Sequence, residues 1–390
     1  MITTAESRLI TTGTYEIIVI SSVPPAPTSA GEILLHRHLS QLDAWKVSVV
    51  PHPQDLLTRL VKRLNRTRFY TWGNNLNVLT HGRSWDPLCH SHQLSSQKAI
   101  VLTVAHGDGC WAALRFAKKH GLPLVTIFHD WWPDLPIVHA PFRQLIARRF
   151  QQLHDSSDLV LCVSEGMQNA LGSHPNSQIL YPIPASLPSE LRSNHSNADT
   201  SRPLRVVYFG NLYEYGPMLG ELLQGVKDHP SLQVQVRGKN PNWSADVQKE
   251  MRERGLWLDF APRSELNQWL SSADACLVTM SFDPAMRRRM ETSFPSKLLE
   301  YVQFGKPIVI WGPEYCAAVR WAKEGNKALC VTNENPKELL LALEQLQNSA
   351  ELQKHYVNQT CMVAQKQFNP LVIQQQFFIE INDFLTKFLV

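Results

Sequence analysis

The chain has 390 residues, of which 44% are hydrophobic and 18% are charged. This composition provides for sizeable apolar cores and excludes a disordered chain. The net charge of +4 excludes a positive field over the whole molecule of the kind that binds nucleic acid. At about 100–200 residues per domain, we expect two domains.

The seven cysteines are scattered, odd in number and contain no C-x-x-C pair. They indicate neither a disulfide framework nor a zinc ribbon. The chain holds no apolar run of the length, about 18 residues, that crosses a bilayer, and its first residues do not resemble a secretion signal. We therefore expect a cytoplasmic protein that at most rests on a membrane surface.

Short apolar runs alternate with longer amphipathic stretches in the first half of the chain. The runs occupy residues 16–20, 46–50, 99–104, 124–128 and 159–163. Runs that are apolar at consecutive positions are typical of strands buried on both faces of a parallel sheet. Helical patterns lie between them, at 31–42 and at 111–120, where Gly121 and Pro123 end the helix. This alternation predicts a doubly wound α/β domain over residues 1–188.

The alternation breaks at residues 184–203, which are rich in Ser, Asn and Pro and cannot fold alone. We assign residues 189–203 to a linker. Strand-like runs then return at 204–209, 232–236, 256–260, 275–278, 308–311 and 328–331, which predicts a second doubly wound domain over residues 204–367. Residues 368–390 carry apolar side chains at helical spacing, so we expect a final helix that docks on another part of the chain.

Two glycines follow predicted strands, and ligands of open parallel sheets bind beyond the carboxyl ends of strands. A Pro-rich loop follows the first strand and runs into a helix at Ala30 and Gly31, where a glycine lets a ligand approach the unpaired backbone amides. Gly210 follows the first strand of the second domain and permits the close approach of a phosphate. The alternatives are an ordinary loop and a turn glycine.

His129 and Asp130 directly follow the strand predicted at 124–128. An imidazole at a strand end can exchange a proton with a substrate hydroxyl near neutral pH, and the adjacent carboxylate can act as a base. Trp131 and Trp132 come next, and their rings are suited to stacking on a sugar or a base, which favours a functional role. The alternative for a lone histidine is a structural role.

Residues 292–310 contain the most informative motif. Pro295 and Ser296 predict a helix start, which places Lys297 and the first amides of the helix where they can meet a diphosphate. Glu300 lies one turn later, where its carboxylate can accept hydrogen bonds from a ribose diol. The sequence Gly-Lys-Pro at 305–307 then ends the helix before a buried strand.

These motifs together resemble the GT-B fold glycosyltransferases of the retaining family four and its relatives. The resemblance is most specific at residues 295–301 and 305–309, and it extends over nearly the whole chain. It implies two Rossmann-like domains that face each other across a cleft, with the final helix crossing back to the first domain. It also implies polysaccharide biosynthesis, in which a hexose-type sugar passes from a nucleotide donor to a hydroxyl of a glycan, a lipid-linked or a small-molecule acceptor.

The resemblance also implies roles for individual residues. The glutamate that matches Glu300 holds the nucleotide ribose, the helix start at Ser296 and Lys297 faces the diphosphate, and the loop at Gly210 lies beside the donor. The histidine that matches His129 lies near the reacting sugar.

In the same relatives, the loop before Gly31 lines the cleft from the first domain. The family needs no metal, and the present chain contains no D-x-D pair. The resemblance therefore predicts neither a metal nor another cofactor, and the nucleotide sugar is a substrate.

The chain departs from the family pattern at several positions. Thr292, next to Glu291, stands where the family has a glutamate that contacts the donor sugar, and Asn211 and Tyr215 replace an arginine and a lysine. The phosphate charge then falls to Lys297, to Arg237 or Lys239, or to the basic run 287–289. Our predicted donor-binding set is Gly210, Asn211, Arg237, Lys239, Thr292, Ser296, Lys297 and Glu300.

The catalytic candidates are His129 and Asp130. Relatives without the first glutamate can invert the sugar configuration with a carboxylate base, and Asp130 is then the candidate. Two further functions stay open at this point. One is a nucleotide-sugar epimerase of the same fold, which forms product without an acceptor. The other is a non-catalytic binding or scaffold subunit.

Residues 54–68 place five leucine and valine side chains beside five basic ones. This pattern indicates either an ordinary packing helix or a basic amphipathic helix on anionic lipid, to which residues 142–150 can add. Cys89 and the histidines at 81, 90 and 92 match no zinc spacing. We therefore expect nucleotide sugar, acceptor and membrane surface as partners, and no nucleic acid.

Overall fold

The computed structural model describes residues 15–27, 30–40, 45–64, 66–92, 98–185 and 202–388. They form two compact units. The first unit falls within the ranges Met1–Leu161 and His174–Ser177. The second falls within Cys162–Ser173 and Gln178–Val390. Residues 189–201 of the predicted linker lie outside the described residues.

The first sheet has six strands in the order β2-β1-β3-β4-β5-β6. The strands are β1 (Tyr15–Val19), β2 (Trp45–Val49), β3 (Ala99–Val104), β4 (Leu124–Phe128), β5 (Leu159–Cys162) and β6 (Ser177–Ile179). β1 pairs in parallel with β2 and β3, and β3 pairs in parallel with β4. Every residue of β3 and β4 is buried, as the consecutive apolar runs predict.

Helices connect these strands. They are α1 (Ala30–Leu39), α2 (Leu56–Leu64), α3 (Tyr70–Leu79), α4 (Asp86–Ser91), α5 (Gly109–His120), α6 (Ala140–Ser156) and α7 (Glu165–Leu171), with 3₁₀ turns at Arg83–Trp85 and Trp132–Asp134. The predicted end of α5 is confirmed, because Gly121 takes the left-handed conformation with φ of 61°.

The second sheet also has six strands, in the order β12-β11-β10-β7-β8-β9. They are β7 (Leu204–Phe209), β8 (Leu232–Arg237), β9 (Trp257–Leu258), β10 (Ala275–Thr279), β11 (Ile308–Trp311) and β12 (Leu329–Val331). β7 pairs in parallel with both β8 and β10. The predicted α/β class with two doubly wound sheets is therefore confirmed.

The helices of the second sheet are α8 (Gly216–Val226), α9 (Ala245–Glu253), α10 (Arg263–Ser271), α11 (Arg287–Thr292), α12 (Ser296–Val302), α13 (Ala317–Lys323), α14 (Pro336–Asn348), α15 (Ala350–Lys366) and α16 (Pro370–Phe388), with a 3₁₀ turn at Pro284–Met286. The side chains of α8 and α14 form one buried cluster with β7 and β8. In the described part of the chain, none of the helices is both long and apolar enough to cross a membrane.

α7 belongs to the second unit, whereas the predicted boundary at residue 188 places it in the first domain. It packs against α11 at Gly166, where a β-carbon would lie 1.8 Å from the carbonyl oxygen of Glu291. Ser164 caps α7 and also donates a hydrogen bond of 2.5 Å to the carbonyl oxygen of Thr292. Only a glycine at position 166 permits α7 to approach α11 this closely, because any β-carbon there would occupy the position of the Glu291 carbonyl oxygen.

Candidate functional site

The order of the second sheet reverses between β7 and β10, because the chain proceeds from β7 outward in both directions. Loops that leave two such strands diverge and open a crevice at the carboxyl edge. The loop after β7 begins with Gly210, and the segment after β10 leads to α12. The most specific motif of the sequence therefore lies at this reversal point.

Lys297 of α12 reaches the loop after β7. Gly210 has a φ of 139°, and a β-carbon on it would lie 3.0 Å from Nζ of Lys297. The backbone conformation therefore requires glycine, and the ammonium packs closely against this position. The structure thus brings together two of the predicted donor-binding residues.

The ammonium of Lys297 is held by aromatic side chains. Its Nζ donates a hydrogen bond of 2.7 Å to the hydroxyl of Tyr208 and lies 4.0 Å and 5.1 Å from the ring centroids of Tyr208 and Tyr215. Loss of hydration on burial lowers the pKa of Lys297 to about 7, and the nearby charge of Glu214 opposes this shift. In the described part of the chain Lys297 has no ion-pair partner, so an entering phosphate would meet a cation that no carboxylate neutralises.

Asn211 organises the loop after β7. Its side-chain oxygen accepts hydrogen bonds from the backbone of Tyr213 and Glu214, and its amide nitrogen donates to Glu214 at 2.9 Å. Glu214 in turn accepts a 2.6 Å hydrogen bond from Arg289. This chain of contacts brings one arginine of the predicted basic run 287–289 to the loop, whereas Arg287 pairs with Glu291 at 2.8 Å.

Glu300 is 8% exposed and accepts two strong hydrogen bonds. Its Oε1 accepts from the backbone amide of Ala185 at 2.9 Å, and its Oε2 accepts from Arg263 at 2.6 Å. Carboxylate oxygens only accept hydrogen bonds, which is the chemistry that a ribose diol requires of its partner. Sequence reasoning missed Arg263, whose only signal is its place after Pro262 at the start of α10.

The other predicted donor-binding residues lie in different surroundings. Arg237 forms an ion pair of 2.9 Å with Glu265, and Lys239 is exposed with its ammonium 5.2 Å from the ring centroid of Phe260. Ser296 is the exposed first residue of α12. Thr292 is fully buried, and its hydroxyl donates to the carbonyl oxygen of Arg288 at 2.8 Å. The roles of these four residues in donor binding stay predictions.

In the first unit, His129 and Asp130 follow β4 and contact each other. Nδ1 of His129 lies 3.2 Å from Oδ2 of Asp130, and both side chains are partly exposed. His106 follows β3, and burial lowers its pKa, with Asp130 opposing the shift and His129 adding to it. Sequence reasoning missed His106, although the turn sequence His-Gly-Asp-Gly after a buried strand was a usable signal.

Of the two tryptophans suited to stacking on a ligand, Trp132 is not accessible for it. This side chain is 4% exposed, and its ring packs against His106 and Trp111 at centroid distances of 5.4 Å and 5.3 Å. Burial against α5 and the loop after β3 leaves no face of Trp132 for a sugar. Trp131 is partly exposed and packs against Phe150.

The first sheet also reverses its order, between β1 and β3. Ser22, in the loop after β1, donates a 3.0 Å hydrogen bond to Asp108 and accepts one of 2.8 Å from the amide of Gly109. A β-carbon on Gly109 would lie 2.6 Å from the backbone nitrogen of Ser22. The loops after β1 and β3 are therefore tied together at this second reversal point.

α1 begins at Ala30, one residue before the predicted helix start at Gly31. A β-carbon on Gly31 would lie 3.3 Å from a methyl group of Val23, so the loop packs closely on the helix start. Residues 28 and 29 of the loop lie outside the described residues. Among the residues that the structure describes, no group of three or more His, Cys, Asp or Glu side chains is placed to hold a metal ion.

Two family models match the chain. The model described as Glycosyltransferase Family 4 matches residues 33–179, and the model described as Glycosyl transferases group 1 matches residues 203–349. No curated protein sequence matches the chain.

Solved glycosyltransferase structures share its fold over nearly its whole length. HepE from Anabaena, in complex with UDP, is 15% identical over 95% of this chain and 100% of that chain, with a TM-score of 0.61. The trehalose-6-phosphate synthase OtsA is 12% identical over 95% and 99%, with a TM-score of 0.62. A UDP-forming α,α-trehalose-phosphate synthase from Burkholderia xenovorans, in complex with glucose-6-phosphate, is 11% identical over 95% and 100%, with a TM-score of 0.60.

The environment of Lys297 predicts how stability depends on pH. Its pKa is about 7 in the folded protein and about 10.4 in an unfolded chain. Between these values the unfolded state binds more protons, so the contribution of Lys297 to the free energy of unfolding rises with pH. We expect the stability of the wild type to rise relative to that of Lys297→Met as the pH goes from 7 to 9, measured by denaturant unfolding.

Lys239→Met is the matched control, because Lys239 is exposed at the same edge of the sheet. Its stability difference from the wild type should stay constant over this range. A constant difference for Lys297→Met as well would show that the ammonium is not desolvated.

Proposed function

The chain belongs to the GT-B glycosyltransferases, and we propose that it transfers a hexose-type sugar from a nucleoside diphosphate donor to a hydroxyl group. Both family models describe glycosyltransferases, and both units contain the doubly wound sheet of the GT-B fold. The acceptor class that we propose is a glycan, a lipid-linked or a small-molecule hydroxyl, in polysaccharide biosynthesis. The observation that carries the donor proposal is the partly buried ammonium of Lys297 against Gly210.

UDP is the first donor nucleotide to consider. Solved structures of HepE hold UDP in one case and UDP-glucose in another. The structure with UDP supports the use of UDP as a probe for the present chain. In our proposal Lys297 binds the diphosphate, and binding of that dianion restores the full charge of an ammonium whose pKa is about 7. Glu300 accepts hydrogen bonds from the ribose hydroxyls, and Arg263, which donates to its Oε2 at 2.6 Å, positions the carboxylate.

We propose that the reaction retains the configuration of the sugar and needs no metal. The bond between the anomeric carbon and the diphosphate oxygen breaks, and a bond between that carbon and the acceptor oxygen forms. The departing phosphate oxygen takes the acceptor proton. Lys297 stabilises the negative charge that develops on the diphosphate. This side chain thereby supplies the stabilisation for which other transferases use a metal ion.

His129 and Asp130 are the proposed groups at the acceptor. The imidazole orients the reacting hydroxyl by a hydrogen bond, and Asp130, 3.2 Å from its Nδ1, fixes the ring and its tautomer. In the inverting alternative Asp130 itself accepts the proton. The two routes differ in the anomeric configuration of the product and in the effect of removing the carboxylate.

Donor binding is predicted to depend on Glu300. In a thermal-shift series with UDP-, GDP-, ADP- and dTDP-sugars, one nucleotide should raise the melting temperature of the wild type. Glu300→Ala should lose most of that shift, because the ribose loses its acceptor and Arg263 loses its partner.

The control is Glu338→Ala, which removes an exposed carboxylate from α14. It should respond to the nucleotide as the wild type does. An undiminished shift in Glu300→Ala would remove Glu300 from the donor site, and product formed without any acceptor would identify an epimerase.

The roles of His129 and Asp130 are predicted to separate in transfer assays. We expect His129→Ala to lower kcat about 100-fold, the low end of the range for a group that handles a proton. Asp130→Asn should lower kcat about tenfold in a retaining reaction, because it only loosens the imidazole. NMR of the product fixes the anomeric configuration, and an inverted product together with a loss above about 1,000-fold in Asp130→Asn would establish Asp130 as the base.

We also propose that the protein acts in the cytoplasm as a peripheral membrane protein. All seven cysteines are free, and five of them are buried, which fits a reducing compartment. α2 buries Thr58 and Val61 and exposes Leu56 and Leu60, which are 80% and 50% exposed.

The surface continues beyond α2 with further apolar and basic side chains. Phe69 and Trp72 are 46% and 47% exposed. Exposed arginines stand between the apolar side chains, at positions 59, 63, 66 and 68. Residues 56–85, which we call the basic segment, contain six Lys or Arg and no Asp or Glu, whereas the whole chain has a net charge of +4. The remainder therefore carries a net charge of −2, and exposed apolar groups among cations fit an anionic lipid surface.

Membrane binding is predicted to require this mixed surface. The protein should co-sediment with vesicles of phosphatidylcholine that contain phosphatidylglycerol, and not with phosphatidylcholine alone. The double variant Arg59→Gln/Arg63→Gln should bind about 30-fold more weakly, at about 1 kcal/mol for each cation.

The double variant Lys118→Gln/Lys119→Gln is the control, because it removes two exposed cations from α5 of the same unit. It should bind as the wild type does. Equal losses in the two double variants would show that vesicle binding depends on total charge and not on this particular surface.

A further inference from the structure

Two arginines of the first unit contact His81, and a third lies two residues from it in the chain. They are Arg83, which follows α3, Arg115 of α5 and Arg149 of α6, and we call them the arginine cluster. Arg115 donates to the carbonyl oxygen of His81, and the guanidinium of Arg149 contacts the imidazole of His81. Arg149 also lies over the ring of Trp111, with its central carbon 4.6 Å from a ring centroid.

The cluster has more positive than negative charge. In the described part of the chain, Asp86 is the one carboxylate that pairs with it, at 2.7 Å from Arg115. Within the same described ranges, Arg83 and Arg149 form no ion pair. Desolvation and the charge of Arg115 lower the pKa of Arg149, and burial together with all three arginines lowers the pKa of His81.

This crowding indicates an anion. Cations that lie close together repel each other unless a counter-charge lies between them. Stacking on Trp111 fixes the plane of the Arg149 guanidinium, and planar guanidinium groups match phosphate oxygens in pairs of hydrogen bonds. His81, whose pKa is lowered, adds no further charge to the cluster at neutral pH.

We propose that the arginine cluster is a binding site for a phosphate monoester. It lies in the first unit, separate from the residues that we assign to the donor, so the inference goes beyond the proposed function. His81 and Arg83 belong to the basic segment, which gives the phosphate two sources. One is the headgroup of an anionic lipid, and the other is a soluble phosphate ester.

Glycerol 3-phosphate and phosphatidic acid present the same phosphate monoester in soluble and in lipid form. The full-length protein is titrated with glycerol 3-phosphate by calorimetry, and with phosphatidylcholine vesicles that contain phosphatidic acid by co-sedimentation. Arg83→Gln and Arg149→Gln should each weaken binding about tenfold, because each removes one charge-assisted pair of hydrogen bonds.

The control is Arg148→Gln, which removes an exposed cation next to Arg149 on α6. Arg83→Gln protects the test against misfolding, because Arg83 is exposed whereas Arg149 packs on Trp111. Binding of glycerol 3-phosphate that the cluster variants weaken and the control does not supports a soluble ester. The same pattern with vesicles alone supports the lipid headgroup.

Two results would overturn the site. One is equal weakening by Arg148→Gln and by the cluster variants, and the other is no binding of either probe by the wild type. Both titrations are made without a nucleotide sugar, and Glu300→Ala should bind the probes as the wild type does. Failure of the phosphate site and failure of the proposed transferase function are therefore distinguishable.

Discussion

Parallel strand pairing is the constraint on which both units depend. Strands that run in the same direction need crossover connections, so the loops that follow them gather at one edge of the sheet. Each sheet reverses its order once, at β1 and β3 and at β7 and β10. Gly210 and Lys297 meet because β7 and β10 are neighbours, and Ser22 meets Gly109 because β1 and β3 are neighbours.

The electrostatics of the second unit follow from that geometry. Packing of α12 beside β7 desolvates Lys297, and the partners available there are the ring and hydroxyl of Tyr208 rather than a carboxylate. The nearest acid, Glu214, is occupied by Arg289. A lysine kept in such a place without a counter-charge costs stability, which a dianionic ligand would recover. The free protein pays for the desolvation of Lys297, and a charged ligand would offset that cost. This is the physical basis for proposing that the donor binds at this edge.

The sequence predicted the strands where burial on both faces leaves a continuous apolar run. The bounds of β3, β4, β7 and β11 coincide with the predicted runs. β9 has only Trp257–Leu258 of the predicted 256–260, and β6 (Ser177–Ile179) was not predicted. Both are short strands at sheet edges, where one side of the strand lacks a neighbour and the apolar pattern is weak.

The candidate site was predictable to the extent that its residues share one helix. Lys297 and Glu300 are recognisable because a helix start, a cation, an acid and a helix stop follow each other within a few residues. Arg263 reaches Glu300 from α10 and Arg289 reaches Glu214 from α11, and no local pattern marks a contact between separate elements. The burial of Trp132 was missed for the same reason, since it depends on α5 packing over the loop after β4.

Charge pairing, rather than net charge, distinguishes the surfaces of the two units. Several arginines at the surface of the second unit are paired with acids, as in Arg202 with Asp274 and Arg254 with Asp228. Such pairs add little to stability, but they cancel the local field. In the first unit the basic segment carries six cations without an acid, and a net charge of +4 conceals this surplus because the rest of the chain is slightly acidic. Since unpaired cations attract anions, the distribution of ion pairs indicates where an anionic partner would be favoured, which the total charge cannot do.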